Sequence, residues 1–304
     1  MDISVHDITE NEVFGLFSPR NPVSNKGDYG RVLLICGSYG MAGAAIIAAN
    51  ACIASGAGLV NIVCPKSIYP IIASSVHEAV FTPINDKPTD DDITAVKSAI
   101  AKADCAAIGC GLGGGEYAEK MLFTLLDNAK IPLIIDADGI NRLCDSIYML
   151  REAKTPIILT PHPGEMGRLC GSNAKAVQSD RMGTARRFAA EYGVTLVLKG
   201  HETIVMQPDG CAAVNHTGNA GMACAGSGDM LCGIMAALLG CGFKPYDAAR
   251  AAVFIHGRCG DLSAEEYSMI GTSPTTMQRF LPQVFRQIEL SFEGNDLKRE
   301  QNAK

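Results

Sequence analysis

His216-Thr-Gly-Asn-Ala-Gly-Met-Ala-Cys-Ala-Gly-Ser-Gly-Asp229, followed by Met230-Leu-Cys-Gly-Ile-Met-Ala-Ala-Leu-Leu-Gly-Cys-Gly242, joins a glycine-rich turn directly to an apolar helix. Gly218, Gly221, Gly226 and Gly228, with Gly233 one turn into the helix, permit backbone conformations closed to other residues and leave amide N–H groups free to face a ligand. Such donors meet an anion at a helix N-terminus, where the peptide dipoles also favour negative charge. The pattern puts Asp229 at the first position of this helix, beside the place a phosphate would lie. A carboxylate repels phosphate, so its chemical use there is to take a proton from a hydroxyl attacking that phosphate. The plainer alternative is that Asp229 only caps the helix.

Working outward, short aliphatic runs recur at Val32–Cys36, Leu59–Val63, Ala79–Thr82, Cys105–Ile108, Leu133–Ile135, Ile157–Leu159 and Thr195–Leu198. Most are separated by helical patterns at Met41–Ala57, Asp92–Lys102, Glu116–Asn128 and Ala174–Tyr192. Continuous apolar strands alternating with helices predict an α/β fold of three layers, with a mostly parallel central sheet covered on both faces. Thr203–Met206 and Cys211–Val214 flank Gln207-Pro-Asp-Gly210, a hairpin signal, so the sheet is expected to end in antiparallel strands. Helices at 229–241, 245–264 and 274–290 then close one domain spanning 1–304, with a frayed polar tail from about Glu293.

Composition narrows the function. The chain has 304 residues, 47% of them hydrophobic, enough for one large core. A net charge of −6, with Lys and Arg scattered, offers no surface for nucleic acid. Anionic substrates must therefore be held by local backbone donors and a metal. The 12 cysteines form no Cys-x-x-Cys pair and read as small buried hydrophobes in a reducing cytoplasm. The N-terminus lacks the order of a signal peptide. Residues 42–63 are apolar, but Asn50, Ser55, Gly56, Gly58 and Asn61 interrupt them, which argues against a membrane span. Small residues along Gly43–Gly58 are compatible with tight subunit packing in a homo-oligomer.

Each strand end carries a further turn, and ligands of such sheets bind beyond the carboxyl ends of the strands. Gly37, Gly40 and Gly43 do not make a dinucleotide fingerprint, and no Gly-Lys-Ser/Thr is present. That turn is read as lining a substrate pocket at Ala44, or as a packing turn. Gly109-Cys-Gly-Leu-Gly-Gly-Gly115 aims amides at the same edge. Asp136-Ala-Asp-Gly-Ile-Asn141 offers carboxylates to Mg²⁺ or to substrate hydroxyls, although Asp138 could simply cap a helix. In Thr160-Pro-His-Pro-Gly-Glu165 the prolines fix the path, so that His162 can donate to a ligand and Glu165 can hold a water on Mg²⁺. Val197-Leu-Lys-Gly-His-Glu-Thr203 places Lys199 at a strand end, either solvated or facing nucleotide phosphates.

Together, Gly37-Ser38 with Gly43-Ala44-Ala45, Gly109-Cys-Gly-Leu-Gly113, Asp136-Ala-Asp-Gly139, Thr160-Pro-His-Pro-Gly-Glu165, Lys199-Gly200 with Thr203, and Gly226-Ser-Gly-Asp229 resemble the ADP-dependent NAD(P)H-hydrate dehydratases of the ribokinase-like fold. The resemblance spans roughly residues 25–285. It implies repair of the S epimer of NADHX and NADPHX to NADH and NADPH, with ADP as phosphoryl donor, Mg²⁺ as cofactor, and AMP and phosphate as products. It also implies that Ala44, Gly111, Gly113, His162 and Asp229 line the hydrate pocket. The nucleotide would lie on Lys199, Gly200, His201, Glu202, Thr203, Asn219, Ala225, Gly226, Ser227 and Gly228. Glu165, through water, and Asp136 would serve the metal. A tetramer is a further implication, as is coupling to a separate epimerase, because the chain begins too near its first strand to contain one. Two positions depart from the family pattern, with Cys110 and Ala220 standing where prolines are usual. Alternatives are a kinase of the same fold acting on a hydroxymethyl vitamin precursor or sugar, and a catalytically idle nucleotide sensor.

Overall fold

The computed structural model describes residues 4–302, with side chains through Phe292. Among the described residues, ten strands form one sheet in the order β1-β10-β9-β8-β7-β6-β5-β2-β3-β4. They are β1 (Val5–Asp7), β2 (Arg31–Ile35), β3 (Leu59–Pro65), β4 (Val80–Ile84), β5 (Cys105–Ile108), β6 (Leu133–Ile135), β7 (Ile157–Leu159), β8 (Thr195–Leu198), β9 (Thr203–Met206) and β10 (Ala212–Asn215). Among the described residues only β9 makes antiparallel pairs, with β8 and β10, and the other pairings are parallel. The antiparallel turn expected after β8 is therefore present. The chain then resumes the common direction in β10 and is extended by β1, a strand too short and too polar to show a period in the sequence. Pro83 lies within β4, an edge strand, where a missing amide leaves no ladder bond unmade.

Alternation along the strands explains the three layers. Val32 and Leu34 belong to one core, and Leu33 and Ile35 to the other. The first core packs under the helices Ala42–Ala54, Ser227–Gly240 and Pro245–Tyr267, and the second under Gly115–Asn128, Ala137–Leu143, Pro163–Leu169 and Arg181–Tyr192. Every residue from Met230 to Gly240 is buried, which accounts for a helix that is apolar all round. It packs chiefly against Ala42–Ala54. A Cβ on Gly233 would lie 2.1 Å from the Ala48 carbonyl oxygen, so the backbones touch. The small residues of Ala42–Ala54 are thus used inside the chain, and packing between subunits is not needed to explain them.

Several helix boundaries differ from expectation. Gly226, at φ +88°, turns the chain into a helix that begins at Ser227, so Asp229 is its third residue and not its first. The stretch 174–192 is two helices, Ala174–Ser179 and Arg181–Tyr192. Asp180 breaks it by leaving helical angles and accepting from the Gly183 amide with its side chain. The last expected helix is likewise two, Pro274–Gln278 and Leu281–Asn302; the second extends through the stretch expected to fray, and residues 303 and 304 lie outside the described residues. No helix among the described residues is long and apolar enough to cross a membrane.

Because Gly233 sits at a backbone contact, Gly233→Ala is expected to destabilise the fold by about 1–3 kcal/mol, despite the better helix propensity of alanine. Gly43→Ala, which meets nothing within 4 Å, is the control. Urea unfolding of both variants checks this, and equal midpoints would contradict the contact.

Candidate active site

The carboxyl ends of β6, β7 and β8 converge on one group of charges. Asp136, directly after β6, is buried and its Oδ1 accepts from the Thr160 hydroxyl (2.6 Å) and from Lys199 Nζ (2.7 Å). Lys199 follows β8, and its Nζ is also 4.0 Å from Glu165 Oε2. Burial works against the ammonium charge, but the carboxylates of Asp136 and Glu165 outweigh it and raise the lysine above its usual range. The solvated alternative for Lys199 is excluded. A Cβ on Gly109 would lie 1.8 Å from the Asp136 carbonyl oxygen, so only glycine allows this strand end to close on its neighbour. The chain leaves Asp136 through Ala137 at φ +47°, a left-handed angle that costs an alanine on the order of 1 kcal/mol.

Asp229 faces this group from the first turn of Ser227–Gly240. No side chain caps that helix, and Gly226, Ser227, Gly228 and Asp229 line a cavity of about 920 Å³. A Cβ on Gly228 would sit 3.3 Å from Lys199 Nζ, which puts the ammonium against the glycine turn. Burial and the Asp136 carboxylate push the Asp229 carboxyl up to about 6, while the Cys110 thiol beside it and Lys199 pull it down. Asp229 is therefore no helix cap. It is a carboxylate poised near neutrality in a cleft, with the properties of a general base.

Most of the residues singled out in the sequence share this cavity. Asp136, His162, Glu165, Lys199, Gly200, His201, Glu202, Thr203 and Asn219 line it together with Gly226–Asp229. Ala225 is exposed and is not among its walls, nor are Ala44, Gly111 and Gly113. Those last three meet one another's surroundings beyond β2 and β5. A Cβ on Gly111 would lie 2.7 Å from Ala44 Cβ, and one on Gly113 would lie 2.9 Å from Ser38 Oγ. Asp138 does not cap its helix but accepts from the Gly113 amide at 2.7 Å, tying that turn to the end of β6.

His162 has a different local role from the one expected. Its Nδ1 accepts from the amides of Gly164 (3.0 Å) and Glu165 (3.3 Å), and Glu165 Oε2 accepts from the His162 amide (2.8 Å), a reciprocal cap on Pro163–Leu169. Only Nε2 remains to meet a ligand, and it lies 3.3 Å from Glu165 Oε1. Glu165, buried on the cavity wall beside Asp136, presents hard oxygen donors of the kind Mg²⁺ takes through water. The donor set fits that ion.

Sequence reasoning missed the contribution of Pro245–Tyr267, which gave only an apolar covering pattern. Asp261 on this helix accepts from the Gly218 amide (3.0 Å) and from the Asn219 side chain (3.1 Å), fixing the glycine turn. His256 lines the cavity 3.2 Å from Ser227 Oγ, and burial lowers it to about 4, leaving it neutral. Gly257 is on the same face, and a Cβ there would lie 2.2 Å from Thr217 Oγ1. The i, i+1 and i+5 spacing of His256, Gly257 and Asp261 gave no signal without knowing which turn the helix covers.

A family model described as NAD(P)H-hydrate dehydratase matches residues 32–283. The chain belongs to the NAD(P)H-hydrate dehydratase family. It is 34% identical over 282 residues to the ADP-dependent (S)-NAD(P)H-hydrate dehydratase of Bacillus subtilis, covering 92% of this chain and 98% of that protein. It is 38% identical over 276 residues to a bifunctional NAD(P)H-hydrate repair enzyme of Moorella thermoacetica, covering 89% of this chain and 52% of that protein. The chain thus spans about half the length of the bifunctional relatives it matches. Among solved structures, the ADP/ATP-dependent NAD(P)H-hydrate dehydratase from Bacillus subtilis, co-crystallised with ATP and Mg²⁺, superposes with a TM-score of 0.80 at 31% identity, covering 95% and 99% of the two chains. A ribokinase-like superfamily protein from Enterococcus faecalis superposes with a TM-score of 0.84 at 28% identity, covering 93% and 96% of the two chains, which bears out the ribokinase-like fold expected from the sequence.

Removing the counter-charge of the buried lysine is expected to be costly. Asp136→Asn should lower stability by about 3 kcal/mol or more, because it strands the Lys199 ammonium. The double variant Asp136→Asn/Lys199→Met should recover part of that loss. Chemical denaturation of the three proteins checks the coupling.

Proposed function

We propose that this chain, as a single ribokinase-like domain, dehydrates the S epimer of NADHX and NADPHX to NADH and NADPH, consuming ADP and releasing AMP and phosphate. The observation carrying this reading is Asp229, held near pKa 6 in the first turn of an uncapped helix that opens on the cavity with Lys199 beneath it. A ring hydroxyl is a poor leaving group, whereas its phosphate ester is a good one. Asp229 takes the hydroxyl proton as the oxygen attacks the terminal phosphorus of ADP. AMP leaves, and loss of phosphate from the ring ester with a ring proton restores the carbon–carbon double bond.

The remaining residues supply position and charge. The glycine-turn amides and Lys199 counter the negative charge gathering on the transferred group. The strand-end turns Lys199–Thr203 and Asn219–Gly228 carry the nucleotide. Ala44, Gly111 and Gly113, which lie beyond β2 and β5 outside the walls of the cavity, would bound one side of the hydrate, and His162 on the cavity wall would meet it through Nε2. Glu165, with Asp136, would hold Mg²⁺ through water, and the ion when bound neutralises phosphate charge. Epimerisation of the R hydrate belongs to a separate activity. A kinase of the same fold shares this machinery, but its phosphorylated product persists.

Asp229→Asn is expected to lower kcat roughly a hundred- to ten-thousand-fold while leaving nucleotide affinity nearly unchanged. Recovery of reduced-nicotinamide absorbance from (S)-NADHX and ADP, with AMP measured in parallel, checks both this and the reading itself. A stable phosphorylated product and no recovered absorbance would favour the kinase.

The pH profile has a defined sign. Only ionised Asp229 accepts the proton, so kcat/KM should be level above about pH 6 and fall tenfold per unit below it. A profile flat well below that pH would exclude Asp229 as the base.

A further inference from the structure

Two thiols that the proposed reaction does not use lie beside its base. Cys110 follows β5, and Cys232 is in the second turn of Ser227–Gly240; both are buried. Their sulfur atoms and a carboxylate oxygen of Asp136 all lie within 4.8 Å of one another. Thr160 and Lys199 both bond Oδ1 of Asp136, and among the described residues no protein group bonds Oδ2. A tetrahedral ion with Zn–S near 2.3 Å and Zn–O near 2.1 Å spaces its donors roughly 3.6–3.8 Å apart. The three donors therefore need only small side-chain adjustments to grip one ion.

We propose that Cys110, Cys232 and Asp136 form an inhibitory site for a thiophilic divalent cation such as Zn²⁺ or Cd²⁺. Thiolates select this class over Mg²⁺, which prefers oxygen alone and keeps its waters. Binding breaks two S–H bonds, forms two metal–sulfur bonds and releases two protons to solvent. Exchanging two protons for a doubly charged ion leaves the local net charge unchanged, so the Asp136–Lys199 pair meets no added monopole. Asp229 adjoins Cys110 and supplies the fourth ligand of the proposed site. Once bound to the ion, the Asp229 carboxylate no longer has a lone pair free to take the hydroxyl proton, and turnover stops.

The inhibitory part rests on the function proposed above, and the binding part does not, so they are measured separately. The intact chain is titrated with Cd²⁺ in the absence of nucleotide and Mg²⁺, following the ultraviolet sulfur-to-cadmium charge-transfer band. The band should saturate at one ion per chain, persist in Cys170→Ser/Cys224→Ser, which removes the exposed thiols, and vanish in both Cys110→Ser and Cys232→Ser. Circular dichroism verifies that each variant is folded. Wherever residual turnover is measurable, Zn²⁺ inhibition should be reversed by a chelator and weakened more than about tenfold in the serine variants. A band unchanged in Cys110→Ser or Cys232→Ser, or one lost with the exposed thiols instead, overturns the site. A normal band without inhibition overturns its regulatory role alone.

Discussion

One ammonium group governs the charge of the site. Lys199, enclosed between Asp136 and Glu165 and pressed against Gly228, is the cation that permits carboxylates to gather at the ends of β6, β7 and β8. Its charge is largely committed to Asp136, so Asp229 receives only partial compensation and stays near neutrality. Raising a carboxyl from 3.8 to about 6 costs folding on the order of 3 kcal/mol once the group is ionised. That cost is full above the raised value and vanishes below the ordinary one. The fold accepts this destabilisation through cores that are dense on both faces of the sheet.

The helix carrying Asp229 shows how packing and chemistry share one element. Its buried body, in backbone contact with Ala42–Ala54 at Gly233, cannot shift without disturbing the core. Its first turn, by contrast, is formed by Gly226, Ser227 and Gly228 and has no side-chain cap. Rigid support behind and open amides in front are what transition-state stabilisation by the backbone requires, because donors fixed in advance need no reorganisation during the reaction. Asp261 completes the arrangement by holding Gly218 and Asn219 from the neighbouring helix.

Much of this was readable from residue patterns, and the failures have physical causes. Continuous apolar runs located the central strands, and turns at their ends located Asp136, Glu165, Lys199 and Asp229. β1 was missed because three residues, two of them polar, carry no period; only pairing with β10 makes them a strand. The break at Asp180 was missed because helical periodicity continues across it, while the local cap on Gly183 decides the backbone. The partners of Asp136, Asp138 and His162 lie in tertiary space or in competing local bonds, which residue type alone does not rank. Asp261 and His256 stayed hidden because a helix shows its polar residues without showing what they face.

The hydrogen bond between His216 and Asp7 (2.8 Å) joins positions 209 residues apart, at the point where β1 meets the strand leading into the glycine turn. Loop-closure entropy makes so distant a pairing unfavourable until the intervening sheet is in place. The short strand β1 gains its place only by pairing with β10, and His216 on the cavity wall acquires its Asp7 partner through that pairing.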